Sequence, residues 1–94
     1  MALPELEELR RQIDDVDRRI LALIRDRIRL VLQVGDLKRQ RDLAFRDSVR
    51  EESVLATLSS LAEPPLDAAT VRRIYERIID EARTIEERHV KGEK

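Results

Sequence analysis

Residues 4–39, PELEELRRQIDDVDRRILALIRDRIRLVLQVGDLKR, decide the fold of this chain. Apolar side chains recur there at alternating spacings of three and four: Leu6, Leu9, Ile13, Val16, Ile20, Leu23, then position 27, then Leu30, Val34 and Leu37. That is the stripe of an amphipathic helix of heptad type. Pro4 suits the first turn, where its missing N–H costs nothing, and no further proline follows until Pro64. The pattern predicts one helix from Pro4 to Arg39, about 54 Å long at ~1.5 Å per residue. A compact globule of 94 residues has a radius of gyration of about 12 Å, so the rod projects beyond its own monomer and its far half calls for a second chain. Gly35, inside the rod, costs about 1 kcal/mol relative to Ala but lets another backbone come close.

Two shorter helices follow. Residues 41–46 break the stripe. Asp47 or Ser48 can cap a helix over about 48–62, Ser48 and Glu51 have capping-box spacing, and Val54, Leu55, Leu58, Leu61 and Ala62 form its apolar side. Glu63-Pro64-Pro65 ends it. Asp67 is a cap for a third helix over about 67–88, in which Val71, Ile74, Ile78, Ala82 and Ile85 keep the helical period. Tyr75 reads as core, His89 as a solvated side chain near the helix end, and residues 89–94 as a polar tail. The expectation is a single all-α domain spanning residues 1–94.

Composition bounds the function. The 19 Lys and Arg are matched by 20 Asp and Glu, so no global field draws the chain to nucleic acid or an anionic membrane. Without cysteine and with His89 as the single histidine, disulfide frameworks and thiolate or His-rich metal sites are excluded. The start MALPELEELRR has no apolar stretch of signal-peptide length, and no run approaches a membrane span, so the expectation is a cytoplasmic protein.

Arg27 is the anomaly, a charge on the apolar seam that needs a partner or a ligand. Either it snorkels or pairs with a carboxylate, or it binds an anion together with Lys38. Lys38 lies 11 residues later, ~16 Å along the axis at nearly the same angle, so both long side chains can lean toward one point.

At these residues the chain resembles a known family. Leu9-Arg10-x-x-Ile13-Asp14-x-Val16-Asp17 with Leu21-Ala22-Leu23-Ile24-x-x-Arg27 resembles the opening of AroQ-type chorismate mutases. Val34-Gly35-x-x-Lys38 resembles that family's lysine segment, Asp47-x-x-Arg50-Glu51 its second-helix start, and Ile78-Ile79-Asp80-Glu81-Ala82 with Glu86 its last site-bearing helix. The likeness covers about residues 6–88. It implies an intertwined antiparallel homodimer of three-helix chains that rearranges the dicarboxylate chorismate to prephenate, in aromatic amino-acid biosynthesis, with no cofactor or metal.

Carried over by position, Arg10 reaches into the partner's site while Arg27, Lys38 and Arg50 bind substrate from their own chain. Glu51 receives the ring hydroxyl, the backbone near Asp47 lines the pocket, and Glu86 with Lys38 sits beside the ether oxygen. Helix geometry agrees independently about Arg10, since 17 residues before Arg27 is ~25 Å along the rod and on another side. Taken without the family, Glu51 reads equally as the capping-box acid, Asp47 as the N-cap, and Arg10 as a surface partner of Asp14 or Glu7.

Two positions depart from a common pattern. Ala82 stands where some members have Ser, which removes one hydrogen bond to substrate. Glu86 stands where some have Gln, and an ionised glutamate cannot donate to an ether oxygen, so Glu86 is expected to work protonated. Burial and a substrate carboxylate raise its pKa while Lys38 and the arginines lower it. The alternatives are isochorismate pyruvate-lyase on the same scaffold, or a non-catalytic helical dimerisation module with a charged seam. Some family members also bind another enzyme of aromatic biosynthesis, and no residue here speaks for or against that.

Overall fold

The computed structural model describes residues 3–44 and 46–92. Three helices account for them, α1 (Pro4–Gln40), α2 (Ser48–Ser60) and α3 (Ala68–Val90). Among the described residues there is no strand.

α1 opens with Pro4 in its first turn and closes on Arg41. Asp42 then turns left-handed at φ 53°. The Asp42 N–H donates to the Arg39 carbonyl at 3.2 Å and the Leu43 N–H to the Lys38 carbonyl at 2.8 Å. That pair of bonds is a Schellman closure, which satisfies two carbonyls that the helix end would orphan. The chain thus leaves the helix direction at Asp42, one turn past Lys38. Of the expected break at 41–46, Phe45 lies outside the described residues.

Asp47 caps α2, its Oδ1 accepting the Arg50 N–H at 2.9 Å. Of the two capping candidates it is therefore Asp47 that serves, and Glu51 is released from the capping box for other partners. α2 ends at Ser60, two residues before the expected bound, because the Leu61 and Ala62 N–H groups turn to the Leu58 and Ser59 carbonyls ahead of a proline pair that cannot continue a helix. Asp67 caps α3 by accepting the Thr70 N–H at 2.7 Å. α3 runs on to Val90, past the expected end at 88, since neither Pro nor Gly interrupts it before Gly92. The final residues of the expected tail, Glu93 and Lys94, lie outside the description.

α3 packs against both α1 and α2. A forked ion pair joins α3 to α2, Arg72 Nη1 and Nη2 donating to the two carboxylate oxygens of Glu52 at 3.0 and 2.9 Å. The core within one chain is slight, with Leu55, Val71 and Ala82 its buried apolar side chains. Tyr75 is half-buried beside Leu58, Leu61 and Val71 at the α2–α3 turn. The seam of α1 is bare by contrast: Leu9 is 57% exposed, Ile13 58% and Leu23 67%. The molecule extends 60 × 32 × 14 Å with a radius of gyration of 17.3 Å. Among the described residues no helix is long and apolar enough to cross a membrane.

Candidate active site

A groove of about 420 Å³ opens where the C-terminal half of α1, the first turn of α2 and the C-terminal half of α3 meet. That volume lies in the small-molecule range of ~300–1,000 Å³. α1 contributes Arg27 and Lys38 to its lining, the start of α2 contributes Asp47, Arg50 and Glu51, and α3 contributes Ala82 and Glu86. Leu30, Val31, Val34, Val54 and Ile79 supply its apolar walls. Seven of the eight residues singled out from sequence thus converge, drawn from three helices. The eighth, Arg10, is exposed on the N-terminal half of the same uninterrupted helix and does not line the groove.

Local folding explains each placement. The single buried residue of α1 is Gly35, and a Cβ built there would lie 2.8 Å from Glu86 Oε2. The glycine therefore makes room for a carboxyl group rather than for another backbone. One turn further along α3, His89 Nε2 lies 3.0 Å from Asp36 Oδ1, and Asp36 also receives Arg39. His89 is exposed near the helix end, as expected, and there it also ties α3 to α1. The Asp36 carboxyl is held below its usual range by the hydrogen bonds from Arg39 and then from His89.

Glu86 is the site's perturbed acid. Its burial in the groove pushes the carboxyl above the ordinary glutamate value. The Lys38 ammonium pulls it down, the carboxylates of Glu51 and Glu87 push it up, and Arg83 pulls it down, with the net direction upward.

Among the described residues Arg10, Arg27 and Arg50 form no side-chain ion pair. Arg27 on its seam is therefore not neutralised by any carboxylate among the described residues, and two guanidinium forks line the groove ready for an anion.

Three charged lining residues were missed in the sequence, namely Arg46, Arg83 and Glu87. Arg83 Nη2 donates to Glu51 Oε1 at 2.7 Å, and Arg46 Nη2 lies 3.6 Å from the same oxygen. A signal for Arg83 existed, because it follows Ile79 by one helical turn and precedes Glu86 by another. Arg46 sits in the linker, where no periodicity points anywhere.

The chain is similar to known proteins over most of its length. A family model described as chorismate mutase type II matches residues 9–87. The chain is 39% identical over 75 residues to the T-protein of Enterobacter agglomerans, a stretch covering 74% of this chain and 20% of that protein. It is 26% identical over 89 residues to the chorismate mutase of Methanocaldococcus jannaschii, covering 94% and 90% respectively. The chain therefore spans about a fifth of the first relative and nearly all of the second. The form II structure of chorismate mutase from Thermus thermophilus superposes with a TM-score of 0.85 at 34% identity, over 89% of this chain and 96% of that one.

Proposed function

The chain belongs to the chorismate mutase type II family of isomerases, and from that premise we propose that it rearranges chorismate to prephenate in two composite grooves of an antiparallel homodimer. The observation that carries the reading is the convergence of Arg27, Lys38 and Arg50 on one groove with Glu51 and with Glu86, whose carboxyl burial raises above its ordinary value.

The reaction is unimolecular: a C–O bond to the ether oxygen breaks while a C–C bond forms, and no proton or electron is exchanged with the protein. What the chain supplies is confinement and charge. Arg27 and Arg50 grip carboxylates as planar forks and hold the flexible dianion folded. Lys38 stands beside the ether oxygen, where negative charge develops as the bond breaks. Glu86, protonated, donates a second hydrogen bond to that oxygen. Glu51 accepts the ring hydroxyl, the backbone at Asp47 closes the rim, and Ala82, buried in the wall, offers shape without a hydroxyl.

Charge bookkeeping supports both the neutral Glu86 and the second chain. The described lining holds five cationic side chains and four carboxylates, a poor match for a dianion. Protonating Glu86 removes one negative charge, and Arg10 of the second copy adds one positive. Surface area supports the dimer as well. A compact monomer of 11.0 kDa exposes about 5,600 Å², whereas this chain exposes 7839 Å². An excess of roughly 2,200 Å² per chain is of the size that obligate dimers cover. As part of the same proposal, this enzyme of aromatic amino-acid biosynthesis works in the cytoplasm.

The test is direct. Purified protein is incubated separately with chorismate and with isochorismate, and products are identified. Prephenate from the first is the expected result; pyruvate from the second establishes the lyase instead, and turnover of neither replaces the enzyme with a dimerisation module.

A further inference from the structure

Arg83 lies outside the set of residues that the family resemblance marks, yet it binds one of them. From α3 it reaches across to the first turn of α2, where its Nη2 donates to Glu51 Oε1 at 2.7 Å, and both side chains are only 26% exposed. Its Nη1 donates to Asp80 Oδ1 at 3.2 Å on its own helix, so the planar guanidinium is fixed at two points. The remaining donor, Nε, is buried without a hydrogen-bond partner.

These facts argue against adhesion as the purpose of the side chain. A buried N–H without an acceptor costs stability. Joining α2 to α3 does not in itself require an ion pair, since replacing both partners of an enclosed pair by apolar groups is often neutral or stabilising. What an apolar residue would not do is hold a carboxylate. Glu51 has three free torsions and keeps about a quarter of its surface in water, so unaided it would divide its time between groove and solvent. Arg83 and Arg46 both address Oε1, which leaves Oε2 with its lone pairs available.

We propose that Arg83 is a positioning residue, which binds Oε1 of Glu51 across the α2–α3 boundary and so presents Oε2 to the ring hydroxyl of the substrate. This inference rests on the mutase reading above. It makes Arg83 a determinant of hydroxyl recognition without requiring it to touch the substrate.

The experiment is a double-mutant cycle on the full chain, with Arg83→Met, Glu51→Gln and the pair, read as kcat and KM for chorismate and as a denaturation midpoint. Arg83→Met is expected to lower the midpoint little, because Glu51 keeps Arg46 and contact with water, and to lower kcat/KM about tenfold, mostly through KM, because the hydroxyl contact is made in ground state and transition state alike. In the Glu51→Gln background the same change is expected to add less than about twofold, the mark of residues acting as one unit. Arg83→Lys, which keeps a charge but not the fork, should recover part of the loss. If Arg83→Met does not fold, the cycle is run with Arg83→Lys. Additive losses, or an unaltered KM in Arg83→Met, overturn the proposal. A wild type that leaves chorismate untouched removes the mutase reading and this inference with it, and is distinguished by the parent protein alone.

Discussion

Under the proposed mutase reading, Glu86 sets the working pH range of the site. Its carboxyl is raised above the usual glutamate value, chiefly by burial, and a bound dianion raises it further. The protonated form, the one able to donate, therefore grows as pH falls. kcat/KM is expected to climb as pH falls toward the raised pKa of Glu86, while Glu86→Gln, always a donor, flattens that limb. A pH–rate profile of both proteins checks this; parallel profiles would sink the idea. The linkage sign agrees for stability: a group whose folded pKa is raised stabilises the fold below its unfolded pKa, and that contribution is lost as pH rises through the folded value.

Gly35 offers a second test at the same scale. An added Cβ meets Glu86 Oε2 at 2.8 Å, the far end of a flexible side chain, so the helix survives and the carboxyl moves. Gly35→Ala should gain about 1 kcal/mol of helix propensity yet lose roughly tenfold in kcat, since the donor leaves its place. Urea denaturation beside steady-state kinetics resolves the two opposite signs. Sequence had located Gly35 and Glu86 separately; that one makes room for the other is a fact of α1 against α3.

At the scale of elements, the helices were legible because each carries its own punctuation. Pro4 opens α1, Asp47 and Asp67 cap α2 and α3, and Pro64-Pro65 stops α2. The ends were less legible, because proximity to a proline or to a left-handed Asp42 moves a boundary by a turn fraction that periodicity does not register. The two caps also separate stability from function. Asp47→Ala should cost about 1 kcal/mol and raise KM as well, because Arg50 and Glu51 ride on the turn that it fixes. Asp67→Ala should lower stability with KM unchanged, since α3 begins far from the groove. The Asp67 carboxyl is held low by the Thr70 N–H, so its capping contribution is present above the unfolded pKa and fades as pH falls through the folded one. Melting curves and Michaelis plots of both variants make the comparison.

For the whole molecule the decisive quantity is the reach of α1. Arg10 and Arg27 are separated by ~25 Å on one straight helix, so a groove that uses both draws them from different chains. Arg10→Ala and Arg27→Ala homodimers should each be nearly inactive. Refolding them together in equal amounts should restore about a quarter of wild-type activity, because half the dimers are mixed and each mixed dimer holds one intact groove. No recovery, with mixed dimers verified by mass, would place Arg10 outside the site. A denaturation midpoint that rises with protein concentration is the companion expectation for a chain whose core is this slight.

By itself the sequence determined the helices, the apolar seam of α1 and the order of the charged residues, because period, caps and prolines are local properties. Only the tertiary structure decided that Asp47 rather than Ser48 caps α2, that Glu51 answers to Arg83, that Glu86 fills the space left at Gly35, and that His89 ties α3 to α1. Each of those is a pairing between residues distant in the chain or a choice between competing donors. Such choices are settled by how α3 lies across its two neighbours, which no spacing along a single helix records.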